Sequence, residues 1–244
     1  MKRFIALATM IFTVATLSTS CEGVTNQVEY KADLVSLADG TPESGNFYVI
    51  FDNKQTAYVT NSNQFTIPSE AYTDGEARAV IQYSEEDSSK SGFDKSIKVV
   101  EIFPIATDNV FIKTERGLEL NSMNSSFNVR NGYIARGYIN LALEYLYSED
   151  PTTQDFYLTY NADPNSEENG LFKGHYMNDG YLYLELFRDP KRESSIEVYD
   201  TYISFKFDPK KLYIDNIDQY VGIKILYRSL SDKNEVREYK IDFE

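Results

Sequence analysis

From Asn46 onward, hydrophobic residues recur at every second position, the spacing that sends alternate side chains to opposite faces of a β-sheet. Four such segments come first, at residues 46–52, 56–61, 78–84 and 96–103. Each is rich in Val, Ile, Tyr or Phe and is bounded by turn-forming Asp, Asn, Ser, Gly or Pro, which predicts strands. Asn53, Lys54 and Gln55 after Asp52 suit a tight hairpin, whereas residues 84–92, with Glu85, Glu86 and Asp87, are too polar to bury and read as a solvated loop.

A second polar interval at residues 114–126 predicts a domain boundary, and beyond it the alternation sharpens. In residues 138–147, Ile139, Leu141, Leu143 and Tyr145 share one face while Asn140, Ala142 and Glu144 take the other. The same pattern recurs in Phe156, Leu158, Tyr160, then in Leu182, Leu184, Leu186, then in Ile203, Phe205, Phe207. Val221, Ile223, Ile225, Tyr227 continue it, and Tyr239, Ile241, Phe243 close the chain. Outside the N-terminus no long window carries the three-and-four spacing of an amphipathic helix, and residues 212–220 leave room for one helical turn. Many short strands with turn signals between them predict an all-β protein of sandwich or barrel type, and the lack of a fixed-period repeat argues against propellers and solenoids.

The N-terminus breaks the pattern. Lys2 and Arg3 precede an apolar stretch over residues 4–17, which ends in Ser18-Thr19-Ser20-Cys21. A charged start, a short apolar run and small residues before a cleavage point make residues 1–20 an export signal, and the run is shorter than the roughly 20 residues that a membrane span needs. The cysteine placed after small residues resembles a lipobox of the relaxed kind found in Bacteroidetes lipoproteins, which implies cleavage before Cys21 and acylation of its thiol with palmitate-like chains. Several acyl chains hold a protein far more firmly than one, at about 0.8 kcal/mol per buried methylene. Residues 21–45, mostly polar and containing Gly23, Gly40, Pro42 and Gly45, read as a tether with room for a short strand near residues 34–37.

Composition narrows the chemistry. Cys21 is the single cysteine, so an exported chain that could have used disulfides must rest on its core. A formal charge of −14 repels phosphate backbones, so nucleic acid is not an expected partner, while a cationic peptide would be attracted. One His and one already committed Cys cannot assemble a zinc or redox-thiol centre, and no cofactor is expected. Glu144, Glu185 and Glu197 are outward strand carboxylates of the type glycosidases pair, and His175 is the lone imidazole. Both are weaker readings than ordinary surface acids and a strand histidine. Residues 161–168 place oxygen side chains at alternate positions, yet they lack the glycine of a calcium loop and contain Pro164, so an acidic surface loop is the better reading. The chain is expected to be no enzyme. Twenty tyrosines are the distinctive feature, and Tyr133, Tyr138, Tyr181, Tyr183 and Tyr202, alternating with apolar positions, are the candidates for an exposed ligand-binding row.

Several segments together resemble one known family. Phe47-Tyr48-Val49-Ile50-Phe51-Asp52 is similar to a first strand ending in Asp at a hairpin, and residues 75–83, Gly-Glu-Ala-Arg-Ala-Val-Ile-Gln-Tyr, resemble a strand opening with glycine and a polar residue before Arg. Gly132-Tyr133-Ile134, residues 137–141, the segment around His175, and residues 201–208 continue the likeness to the NigD-like lipoproteins of Bacteroidetes. Asn53 stands where that family has glycine, and the chain has no Trp. The resemblance implies an N-terminal OB-type barrel and a C-terminal antiparallel β-sandwich; it implies little about activity, since the family is named for a proposed immunity role beside a bacteriocin and offers no catalytic residues to carry over.

These observations predict a signal at 1–20, a lipidated tether at 21–45, an OB-like barrel at 46–113 and a β-sandwich at 114–244. The expected protein is lipid-anchored through Cys21 in the cell envelope, at the outer membrane with the leaflet open, and binds an unknown protein, peptide or glycan. Sequestration of a cationic peptide and accessory binding of glycans are the alternatives.

Overall fold

The computed structural model describes residues 29–38, 46–67, 72–73, 75–88, 90–114, 120, 123, 125–147, 155–163, 172–189, 197–232 and 235–243. The chain divides into two compact units, Met1–Ala106 and Thr107–Glu244.

The first unit is a closed barrel. Its strands are β1 (Lys31–Ala38), β2 (Tyr48–Phe51), β3 (Thr56–Val59), β4 (Tyr72–Thr73), β5 (Glu76–Glu86) and β6 (Lys95–Pro104). They lie in the order β1-β2-β3-β6-β5, and β5 pairs back onto β1 to close the ring, with β4 as a short addition to β5. Every pairing is antiparallel except that of β3 with β6. With a 3-10 turn at Ser62–Gln64 following β3, this is the strand order of an OB fold. Alternate residues fill the interior: Val35 and Leu37 from β1, Val49 and Phe51 from β2, Ala57 and Val59 from β3, Ala77, Ala79, Ile81 and Tyr83 from β5, and Ile97 and Val99 from β6. Closure removes the exposed sheet edges that invite aggregation.

Two sequence expectations change here. The segment expected as tether contains β1, eight residues paired on both sides by β2 and β5. Its alternation is blurred in sequence because apolar Leu34 and Ala38 interrupt the inward row of Val35 and Leu37. The division between units falls at Ala106, ahead of the polar interval expected to mark it, because Val110, Phe111 and Ile112 are buried in the cores of the second unit and Leu120 lies in one of them.

The second unit is a two-sheet sandwich built from β7 (Ala106–Asn109), β8 (Phe111–Ile112), β9 (Phe127–Ala135), β10 (Tyr138–Tyr147), β11 (Asp155–Tyr160), β12 (Tyr181–Asp189), β13 (Glu197–Lys206), β14 (Gly222–Arg228) and β15 (Val236–Asp242). One sheet has the order β7-β13-β10-β9 and the other β15-β14-β12-β11-β8. The inward rows are those the alternation predicted: Ile139, Leu141, Leu143 and Tyr145 face Leu182, Leu184, Leu186, Ile223 and Ile225 in one apolar core. Val221 departs from its row and is exposed, since it precedes β14.

The expected antiparallel sandwich is in fact mixed, because β12 pairs β14, and β8 pairs β11, in parallel. For β12 and β14 the cause is topological. β13 lies in the opposite sheet and carries the chain back between β12 and β14, so β14 runs in the direction of β12. At one side the chain steps between sheets through Val110, whose N–H donates to the Lys206 carbonyl. At the other, Phe127 bridges Ser229 and its ring stacks on Tyr227, joining β9 to the end of β14.

Candidate functional site

The tyrosines singled out by sequence fall into two groups. Tyr133, Tyr138 and Tyr202 come from β9, β10 and β13 and share the outer face of the four-stranded sheet, since their strand partners Asn140, Lys206 and Ala142 alternate with the core row. They do not form an exposed row. Tyr133 is exposed and Tyr202 half-buried, but Tyr138 is 2% exposed, and Asn140 and Ser204 beside it are buried with a 2.6 Å hydrogen bond from the Ser204 hydroxyl to the Asn140 Oδ1. Alternation identifies the face a side chain takes, while burial on that face depends on what covers it. Burial, followed by the Asp200 charge, pushes the Tyr202 phenol up.

Tyr181 and Tyr183 lie on the outer face of the five-stranded sheet in an ionic lattice. Asp179 accepts from the Tyr183 hydroxyl at 3.0 Å and from Lys224 Nζ at 2.7 Å, and Lys224 also meets Glu238. Tyr181 donates to Asp242 at 2.7 Å, and its ring lies beneath Lys240 and Lys224 at 4.7 and 5.3 Å. Lys224 is held above the ordinary lysine range, chiefly by its bond to Asp179, and Asp179 is held low, chiefly by Lys224. The Tyr181 ring also covers Gly222, where a Cβ would lie 3.0 Å from Cε1 of Tyr181 and 2.2 Å from the Ile241 carbonyl oxygen. These two tyrosines therefore brace β12, β14 and β15 as well as facing outward.

Further along this face Glu185 is 0% exposed, with Lys113 Nζ at 2.8 Å and Asn161 Nδ2 at 3.0 Å, and it accepts from the Tyr176 hydroxyl. Around it Phe111, Leu120, Phe172, Phe187 and Leu226 form a second apolar cluster. Burial, then the Glu185 charge, pushes the Tyr176 phenol up strongly. Strand alternation marked Glu185 as outward. The residues that meet it, Lys113, Asn161 and Tyr176, all lie outside the strands.

Other sequence candidates are dispersed. Glu144 lies on the outer face of the opposite sheet, paired with Arg130 and Asn128, so it does not meet Glu185. The side chain of Glu197 lies outside the described residues. His175 sits in an exposed turn, its N–H bonded to the Phe172 carbonyl, and not on a strand. Cys21 and most of residues 161–168 lie outside the described residues, among which no cluster of metal-ligating side chains occurs.

The structure adds three features that the sequence did not reveal. In the barrel, Arg78 is 0% exposed and grips Asp52 with two hydrogen bonds of 2.8 and 3.0 Å, donating a third to Ser36 at 3.1 Å. On its outer face Tyr48 and Tyr58 stand opposite each other in register, with the ring of Phe93 5.6 and 5.7 Å away. In the sandwich Tyr213, at φ +55°, is 79% exposed between buried Leu212 and Ile214. The first two signals are tertiary, an ion pair across strands and a cross-strand aromatic pair met by a loop, and the third is a local turn conformation.

A closed OB-type barrel preceding a two-sheet sandwich defines a two-domain all-β protein. Residues 36–105 match the NigD-like N-terminal OB domain, a span running from within β1 to just past β6, so the barrel is a NigD-like OB domain and the likeness read from the sequence is borne out. The Asp of the hairpin and the Arg of the later strand, two elements of that likeness, are the partners of the buried ion pair. No curated protein matches the chain in sequence. Solved structures share the fold across both units. A protein of unknown function from Bacteroides vulgatus is 18% identical, with a TM-score of 0.60 over 88% of this chain and 92% of that one. A Bacteroides fragilis protein provisionally assigned as a lipoprotein is 15% identical, with a TM-score of 0.58 over 88% and 98%. A NigD-like immunity protein from Bacteroides caccae is 17% identical, with a TM-score of 0.56 over 86% and 91%.

Proposed function

We propose that this protein is a lipid-anchored, non-catalytic binding protein of the bacterial cell envelope, acylated on Cys21 and held at the outer membrane. The carrying observation is the N-terminal order of Lys2-Arg3, an apolar run and Ser18-Thr19-Ser20-Cys21, followed within ten residues by the first barrel strand at Lys31. That order supports a folded two-domain body carried behind an acylated cysteine. The provisional lipoprotein from Bacteroides fragilis, with the same fold, supports the reading.

Fractionation and protease shaving of intact cells test it, comparing the parent with Cys21→Ala. The parent is expected in the membrane fraction and the variant in the soluble one, and cleavage from outside would place the body on the surface. Finding both forms soluble overturns the reading. A second reading, sequestration of a cationic bacteriocin, is favoured by the acidic charge of −14 and by the fold shared with a NigD-like immunity protein. It predicts that cells lacking the protein become sensitive to a cationic peptide in low salt and are rescued by high salt, where surface charge is screened.

A further inference from the structure

The barrel carries an aromatic platform outside its core. On β2 and β3 the inward residues are Val49, Phe51, Ala57 and Val59, so Tyr48 and Tyr58 point outward, directly opposite each other. Phe93, from the loop joining β5 to β6, lies edge-on to Tyr48 at 63° and tilted to Tyr58 at 51°. Lys90 from the same loop places its Nζ 5.4 Å from the Tyr58 ring centre. All three rings are half-buried and Lys90 is exposed.

The loop is fixed to the sheet before any ligand arrives. Asp94 accepts the Thr56 N–H at 2.7 Å and its hydroxyl at 3.0 Å, and the Asp94 N–H returns a bond to the Thr56 carbonyl at 3.1 Å. The Lys90 N–H donates to the Ser96 hydroxyl at 3.2 Å. Such a platform loses little freedom when a ligand docks.

Its position limits the ligand chemistry. The outer face of the second and third strands, together with the loop between the fourth and fifth, is where OB barrels take oligonucleotides or oligosaccharides. In the order β1-β2-β3-β6-β5 those elements are β2, β3 and the β5–β6 loop, the three that bear Tyr48, Tyr58, Phe93 and Lys90. A net charge of −14 repels a phosphate chain, and a single lysine at the platform does not offset it. A sugar chain carries no such penalty. Its C–H faces lie against aromatic rings, and its hydroxyls accept from Lys90 and exchange hydrogen bonds with the phenols.

We infer that Tyr48, Tyr58 and Phe93 form a carbohydrate-binding platform for an oligosaccharide segment, with Lys90 as a hydroxyl-directed donor. The inference rests on the reading that the folded body binds a ligand and names the class of that ligand. Neither strand alternation nor the tyrosines on the sandwich pointed to it.

The test applies the full-length chain, in detergent, to an array of plant, mucin-type and microbial oligosaccharides that also carries oligothymidylate, with calorimetry on each sugar bound. At least one oligosaccharide class is expected to bind and oligothymidylate is not. Tyr48→Ala and Tyr58→Ala should each weaken binding roughly tenfold, the factor given by about 1.4 kcal/mol. Tyr58→Phe should retain most of the affinity, and Tyr213→Ala on the sandwich all of it. Should an alanine variant fail to show the parent's thermal transition, Lys90→Ala decides instead, since it leaves all three rings in place and should still weaken binding. An array silent for every sugar, preference for oligothymidylate, or folded platform variants that bind as tightly as the parent overturns the inference. None of these results bears on membrane anchoring, which the fractionation reads separately.

Discussion

Removing one partner of the Arg78–Asp52 pair tests how the barrel tolerates a charge in its wall. Arg78 has no exposed surface, whereas the Asp52 side chain keeps 18%. In Asp52→Ala the guanidinium retains its 3.1 Å bond to Ser36 but loses the carboxylate that balances its charge. Breaking a buried ion pair from one side costs about 3–5 kcal/mol, and the partial exposure of Asp52 argues for the lower end, about 3 kcal/mol. With a urea dependence of about 1 kcal/mol per molar for a small domain, the barrel midpoint should fall by roughly 3 M. Replacing both partners, as Asp52→Ala with Arg78→Met, removes the stranded charge and should recover more than half of that loss. The assay is urea unfolding followed by NMR resonances of β2 and β5, which report the barrel apart from the sandwich. The reasoning fails if Asp52→Ala costs under about 1 kcal/mol, or if the double variant loses the sum of the two singles.

Three further outcomes follow from the geometry. Gly222→Ala should destabilise the sandwich by about 2 kcal/mol or more, because its Cβ would lie 2.2 Å from the Ile241 carbonyl oxygen, and thermal unfolding would show it. Tyr213→Asn should stabilise by about 0.5 kcal/mol, since asparagine tolerates the left-handed backbone at φ +55° and little burial is lost from a side chain mostly in water; a lowered melting temperature would contradict this. The phenols of Tyr83 and Tyr176 are both raised, each mainly by burial and then by a carboxylate partner, Asp33 and Glu185. A folded-state value above the unfolded one leaves stability intact below the ordinary tyrosine range, near 10, and erodes it as the pH climbs beyond. Tyrosinate absorbance should therefore show these two ionising only as the chain unfolds, in a protein with no tryptophan to mask the signal.

Much of the architecture was legible in period-two patterning. The strand at residues 138–147 was expected with the bounds it has, and its inward row of Ile139, Leu141, Leu143 and Tyr145 lies in the core as the alternation required. A sheet with one covered face imposes that pattern directly, so faces can be read from a single chain. Strand β1 was reduced to a fragment of a tether because Ser36 and Ala38 of its outward row are buried along with inward Val35 and Leu37, which removes the polar alternation that marks a strand. The site was much less legible. Tyr138 and Glu185 were placed on the correct outer faces, yet both are buried, and the partners of Glu185, Lys113, Asn161 and Tyr176, lie outside the strands that period-two reasoning reads. Tyr48 and Tyr58 looked like any two strand tyrosines until the register of β2 on β3 set them opposite each other and the β5–β6 loop brought Phe93 against both.

By itself the sequence determined what depends on local order: strands in place of helices, the inward rows of the sheets and the acidic charge. The tertiary structure decided what depends on meeting across the chain: the closure of β5 on β1, the parallel pairings of β8 with β11 and β12 with β14, the Arg78–Asp52 grip and the platform of three rings. Alternation is written in neighbouring residues, whereas closure, coverage and charge pairing join positions tens of residues apart and become visible when the strands are in place.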